Sequence, residues 1–230
     1  MNYLAIDAST EACSVALSYQ GKVINRFELC PQSHSVVLLP MIDDVLKEAN
    51  CKLQDLDGLI FGRGPGSFTG VRIGIGVAQG LAFSAELKVV GVSTLQAMAQ
   101  QAFRRFQEQE VISAIDARMS EVYTGNYRLD ENEIMQEVLA EAVISPESIS
   151  QYYDTRTSGF YGVGTGWGAY TEQLNLTPTN TDIEILYPDA VDMLTIGTQL
   201  FAKGEGVDAE NAQPVYVRDT VSWKKLPGRE

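Results

Sequence analysis

The tetrapeptide Ala5-Ile6-Asp7-Ala8 returns unchanged as Ala114-Ile115-Asp116-Ala117, roughly half a chain later. In both places it closes a short apolar run, residues 3–7 and 111–116, of the length and β-branched content of a buried strand. In both it leads through a small or polar turn into a stretch that alternates apolar and polar residues. The first copy has Cys13, Val15, Leu17 and Tyr19; the second spans residues 121–128. Four identical residues carry little weight alone. The same four at the same point of a repeated strand, turn and strand predict a chain built from two related halves.

Outward from these anchors the pattern is regular. Gln20-Gly21-Lys22 makes a turn into a third strand over 23–29. Helical periodicity over 35–49, a strand at 56–61, a helix over 70–85, a strand at 88–92 and a helix over 94–107 complete the first half. The second half adds a turn at Asp130-Glu131-Asn132, a helix near 146–153, a Gly-rich strand and turn at 161–167, and a helix over 189–203. Strands alternating with helices predict an α/β fold of mixed sheets flanked by helices. The expected division is an N-terminal lobe over 1–107, completed by a C-terminal segment over 212–230, and a smaller second lobe over 108–211. No low-complexity linker separates them, so the lobes are expected to share an interface.

The bulk numbers narrow the function. With 230 residues, 45% apolar and 20% charged, the chain can bury a substantial core. Asp7 and Glu11 interrupt the region where a signal peptide needs an apolar run, and the most hydrophobic stretch, 70–85, is short for a membrane span and contains Arg72 and Gln79. A cytoplasmic protein is expected. Cys13, Cys30 and Cys51 are odd in number and lack a CxxC spacing, so they read as reduced, buried thiols and suggest neither a disulfide framework nor a zinc knuckle. The net charge of −13 opposes a nucleic-acid backbone, and Arg104-Arg105 and Lys224-Lys225 are the only basic doublets. No strong direct binding of tRNA is expected.

Two lobes that each open with a strand, an aspartate and a hairpin resemble the actin-like, ribonuclease H-like architecture, in which a nucleotide lies in the cleft between the duplicated halves. That resemblance makes Asp7 and Asp116 candidates for handling magnesium and phosphate, since carboxylates suit a hard cation. Turn-capping by the same side chains is the equal alternative. The loop 62–70, Gly-Arg-Gly-Pro-Gly-Ser-Phe-Thr-Gly, precedes a helix N-terminus that could attract an anion, but it lacks a Walker ending and a nearby lysine. Its glycines read better as a strand-to-helix turn requiring several positive φ values.

The following helix is unusual. Val71, Ile75, Ala78, Leu81, Ala82 and Ala85 form one apolar face, yet Ile73, Gly76, Val77, Gly80 and Phe83 make the other face apolar as well. The helix over 35–49 shows the same feature, with Val36 and Leu39 lying off its core stripe of Leu38, Met41, Ile42, Val45 and Leu46. Val36, Leu39, Ile73, Gly76, Val77, Gly80 and Phe83 are therefore the expected protein interface, used by a homodimer when the chain is alone.

Residues 5–7, 11–17, the block from Gly62 to Gly74, Ala114 to Arg118, and the ending Trp223-Lys224-Lys225-Leu226-Pro227-Gly228 together resemble the TsaB family of bacterial tRNA threonylcarbamoyladenosine biosynthesis proteins. The resemblance covers essentially the whole chain. It implies an accessory role in placing threonylcarbamoyl on N6 of adenosine 37, as the partner of the related catalytic subunit TsaD, with the ATPase TsaE joining the pair. The catalytic relative carries a His-x-x-x-His metal pair after the strand corresponding to 88–92. Thr94 and Met98 stand at that spacing here, and His34 is the only histidine. A non-catalytic, metal-free subunit that requires no cofactor of its own is expected, with a weak or shared ATP or ADP site in the complex left open. The alternative is an independent actin-like ATPase or small-molecule kinase acting through Asp7 and Asp116.

Overall fold

The computed structural model describes residues 1–153, 159–180 and 182–218. The expected C-terminal completion of the first lobe beyond residue 218, including Lys224-Lys225, lies outside the described residues. The chain opens as an antiparallel meander, β1 (Tyr3–Asp7), β2 (Ala12–Tyr19) and β3 (Lys22–Leu29), followed by α1 (His34–Glu48). Gln20 and Gly21 both take positive φ between β2 and β3, the backbone twist that a two-residue hairpin requires. Next come β4 (Gly58–Gly62), α2 (Phe68–Ala85), β5 (Val89–Val92) and α3 (Thr94–Phe106). Serine caps start both helices: Ser67 Oγ accepts from Gly70 N, and Ser93 Oγ from Gln96 N.

The five strands form one mixed sheet in the order β3-β2-β1-β4-β5, with β1 antiparallel to β2 and parallel to β4. The second half repeats this plan in four strands. β6 (Glu110–Asp116), β7 (Val122–Leu129), β8 (Met135–Ile144) and β9 (Tyr161–Val163) align as β8-β7-β6-β9, with β6 antiparallel to β7 and parallel to β9. Asp7 and Asp116 end the equivalent strands β1 and β6. The duplication inferred from the tetrapeptides is thus a duplication of sheet topology, and the fold is the actin-like one.

β8 is an element that the sequence reading did not contain. The region expected as a helix near 146–153 is a short 3-10 turn, Pro146–Ser148, followed by α4 (Ile149–Tyr152). α5 (Gly166–Ala169) and α6 (Ala190–Ala202), the latter capped by Asp189 Oδ1 accepting from Val191 N, complete the helices among the described residues.

Packing crosses the division drawn along the sequence. α1 and α2 cover one face of the first sheet, burying Leu4, Ile6, Val15, Leu17, Leu38, Val45 and Ile75 together. Its other face is covered by α6, which comes from the second half: Met193, Leu194 and Ile196 pack with Ala5, Ile60 and Val90, and Phe201 stacks on Tyr3 at 4.7 Å. Conversely α3, from the first half, lies on the second sheet, where Leu95, Met98 and Ala102 meet Val111, Tyr127 and Met135. Each sheet is completed by a helix contributed from the other half. No described helix is long and apolar enough to cross a membrane.

Candidate functional site

Two places were expected to matter, the cleft between the lobes and the outer face of α1 and α2. In the cleft, Asp7 is 1% exposed. Its Oδ2 accepts from Ser9 N and Ser9 Oγ, both at 3.0 Å, while Oδ1 has no hydrogen-bond partner among the described residues. Burial pushes its carboxyl up to about 6, against the opposing pull of the two Ser9 donors. Asp116 is held differently. Arg118 Nη1 donates to its Oδ2 at 3.0 Å, and Arg118 N and Tyr170 Oη donate to its Oδ1 at 2.8 and 3.0 Å. Arg118 Nη2 also reaches Glu11 Oε1 of the first half at 3.1 Å, so this arginine bridges the two β1-like turns. Asp116 is occupied by protein donors, which are the partners a magnesium ion would have to displace.

The loop after β4 is explained by close approach. A Cβ on Gly66 would stand 2.1 Å from Ser9 O, and one on Gly70 would stand 2.2 Å from Ala8 O. Ser67 N donates to Ser9 O at 2.7 Å, and Val71 N to Ser67 O at 2.9 Å. The loop therefore lies backbone to backbone on the turn that follows β1. Only Gly64 of its glycines has positive φ. The expectation of several positive φ values is corrected: three of the four glycines at 62–70 are small because a strand end or turn passes against them, and of the loop's amides Ser67 N, Gly70 N and Val71 N are engaged internally.

On the outer face, Phe83 is 79% and Val36 72% exposed, and Leu39 is about half exposed. Gly76 and Gly80 are exposed, with no atom within 4 Å of where a Cβ would stand, so α2 presents a smooth small-residue track flanked by apolar side chains. Ile73 and Val77 are less available than expected. They are half-buried and pack against the core beneath the helix. Two contributors to this face were not read from the sequence. Phe68, exposed in the first turn of α2, stacks on the Arg72 guanidinium at 3.5 Å, and Arg72 Nε donates to Tyr216 Oη at 3.0 Å. The segment 212–218 runs beside α2, fixed by Gln79 Nε2 donating to Ala212 O at 3.1 Å and Val215 N to Arg63 O at 2.9 Å. Their signal, an arginine between aromatics far apart in sequence, exists only after folding.

A family model described as TsaD, tRNA N6-adenosine threonylcarbamoyltransferase, matches residues 25–201. The tRNA threonylcarbamoyladenosine biosynthesis protein TsaB of Escherichia coli (strain K12) is 50% identical, with the alignment covering 100% of both chains. The chain belongs to the TsaB family. TsaB of Haemophilus influenzae is 45% identical over 100% of this chain and 99% of its own. The solved structure of YeaZ from Pseudomonas aeruginosa matches at 46% identity with a TM-score of 0.88, covering 94% of this chain and 99% of that one. A second solved structure, named as an uncharacterized protein with similarity to peptidase YEAZ from Pseudomonas aeruginosa, gives a TM-score of 0.89.

For a TsaB-family chain, α3 bears on the question of chemistry. Thr94 and Met98, at the His-x-x-x-His spacing of the catalytic relative, are both buried: Thr94 Oγ1 donates to Ser9 Oγ at 2.9 Å, and Met98 fills the core under the second sheet. His34, the single histidine, begins α1, with Nε2 2.6 Å from Thr10 O. Neither position presents an imidazole to the cleft.

Proposed function

We propose that this chain is the non-catalytic, accessory subunit of tRNA threonylcarbamoyladenosine biosynthesis, acting by docking TsaD through the outer faces of α1 and α2, with TsaE joining the pair. The observation that carries the reading is the full-length, 50% identity to a relative named for that process. The accessory part is supported by the chain having one histidine, turned to the Thr10 carbonyl, and no imidazole pair on α3. Docking is supported by exposed Val36, Leu39 and Phe83 around the open track of Gly76 and Gly80. In the isolated chain the same faces would cover one another in a homodimer.

The test is reconstitution: TsaD, TsaE, threonylcarbamoyl-adenylate and unmodified tRNA, with each protein omitted in turn and the modified nucleoside measured. The reading expects loss of product without this chain and no product from this chain alone. The kinase alternative rests on Asp7 Oδ1, which is buried with no hydrogen-bond partner among the described residues. Calorimetry with Mg-ATP on the isolated chain separates the two, since tight binding with turnover that Asp7→Ala abolishes would favour the kinase.

A further inference from the structure

The hairpin of β2 and β3 and the first residue of α1 bring together three side chains that sequence spacing kept apart. Cys13 lies on β2, Cys30 just beyond β3, and His34 opens α1; all three are buried, and their ligand atoms lie within 4.8 Å of one another. We propose that Cys13, Cys30 and His34 form a binding site for a single thiophilic divalent metal ion of the zinc class.

The donor set fits such an ion. Two sulfurs and an imidazole are the usual ligands of zinc, whose bonds of about 2.3 Å to sulfur at tetrahedral angles put two thiolates about 3.8 Å apart. The ligand atoms, within 4.8 Å of one another, need to close by about an ångström to hold such an ion. The histidine is already prepared. Thr10 O can only accept, so Nε2 at 2.6 Å carries a proton, and in the neutral ring that a metal ion requires the lone pair lies on Nδ1. An imidazole anchored by a backbone carbonyl on one nitrogen and free to ligate with the other is the common second-sphere arrangement of metal-bound histidine.

Charge selects the class. Both cysteines are free, with no disulfide to break before an ion can enter. Binding breaks two S–H bonds and releases two protons to solvent. Two thiolates, a neutral imidazole and a divalent ion then sum to zero among the ligands, so the ion adds no net charge beside the buried Asp7 carboxyl. A monovalent soft ion would leave a net negative charge in the core. Entry is from the side of Cys30 and His34, which retain 5% and 8% exposure where Cys13 has none. The three ligands come from β2, the end of β3 and the start of α1, so a bound ion would clamp that helix onto the hairpin.

The test is titration of the full chain, reduced with a phosphine and stripped of metal, first with cobalt(II) and then with zinc(II). The expected result is one equivalent of cobalt with intense thiolate-to-metal charge transfer, release of two protons per ion, displacement by zinc and a raised Tm. Cys13→Ala, Cys30→Ala and His34→Ala, each checked for folding by circular dichroism, should weaken binding by about 100-fold or more. Cys51→Ala, which removes the thiol outside the cluster, should leave it unchanged. Cys30→Ala, at the edge of the core, keeps the test decisive if Cys13→Ala does not fold. Absence of charge transfer, charge transfer that survives Cys30→Ala, or loss in Cys51→Ala would overturn the proposal. Binding without thiolate bands would assign the ion to surface carboxylates and overturn it equally.

Discussion

Asp7 is a carboxylate in a place that disfavours its charge. Its folded pKa of about 6 lies above the ordinary 3.8, so the folded state holds a proton that the unfolded state has released between those values. The stability linked to that proton is fully present below about pH 4 and is lost as pH rises through 6, an effect on the order of 2–3 kcal/mol for a fully buried group. Asp7→Asn, whose amide oxygen can still accept from Ser9, should flatten this dependence. Urea denaturation at pH 4.5, 6 and 7.5 checks it; an unchanged slope in the variant would assign the titration elsewhere. The glycines give a second comparison at this scale. Gly66→Ala drives a Cβ into the Ser9 carbonyl and should cost about 2 kcal/mol or more. Gly76→Ala meets open space in a helix and should be neutral or stabilise the monomer by up to about 1 kcal/mol. Thermal melts of the two variants read the contrast. From sequence the glycines of both segments look alike. Only the backbone passing over one set distinguishes a glycine kept for room beneath it from one that leaves a surface smooth.

At the scale of elements, α3 and α6 are joined by Arg104, whose Nε and Nη2 each donate to Asp192 at 2.8 Å, with Asp189 at 3.1 Å. Asp192 is fully buried, and burial lifts its carboxyl to about 6 in spite of the guanidinium. Removing the arginine takes away the partner that holds the buried carboxylate ionised, so the variant must either bury an uncompensated charge or bind a proton at a higher pH, whereas well below 6 the acid is neutral with or without it. Arg104→Ala is therefore expected to cost about 2 kcal/mol at pH 7.5, reduced from the fully buried case because Arg104 is 40% exposed, and less at pH 5. Denaturation at both pH values measures the difference. The helices themselves were legible because their periodicity is local. β8 was not. Residues 135–144 contain Glu137, Leu139, Ala140 and Glu141, good helix formers without strict alternation, and become a strand through pairing to β7 across an irregular register at 124–127. Glu141 is then drawn inward by Ser93 and Tyr127, which both donate to it, a network between elements that no local pattern announces.

Over the whole molecule, the repeated Ala-Ile-Asp-Ala located two equivalent strands and hence the duplicated fold, because strand-end residues face a common structural demand in both halves. The exchange of α3 and α6 between sheets was invisible, since an apolar helical face specifies that it is buried and not against which sheet. The outer track of α1 and α2 was only partly legible for the same reason: Ile73 and Val77 share the pattern of Gly76 and Phe83 but are taken up by the core beneath. Val77→Glu would disturb the fold, whereas Gly76→Arg adds bulk and charge where nothing stands within 4 Å. The proposed docking function lies on that outer surface rather than at the cleft aspartates. Its most direct test is the yield of threonylcarbamoyladenosine in a reconstitution with TsaD and TsaE, comparing the wild-type chain with folded Gly76→Arg and Asp7→Asn variants. The account predicts that Gly76→Arg reduces product at least tenfold, together with loss of TsaD co-elution, while Asp7→Asn stays within about twofold of wild type. Full activity of Gly76→Arg with loss of activity in Asp7→Asn would contradict it.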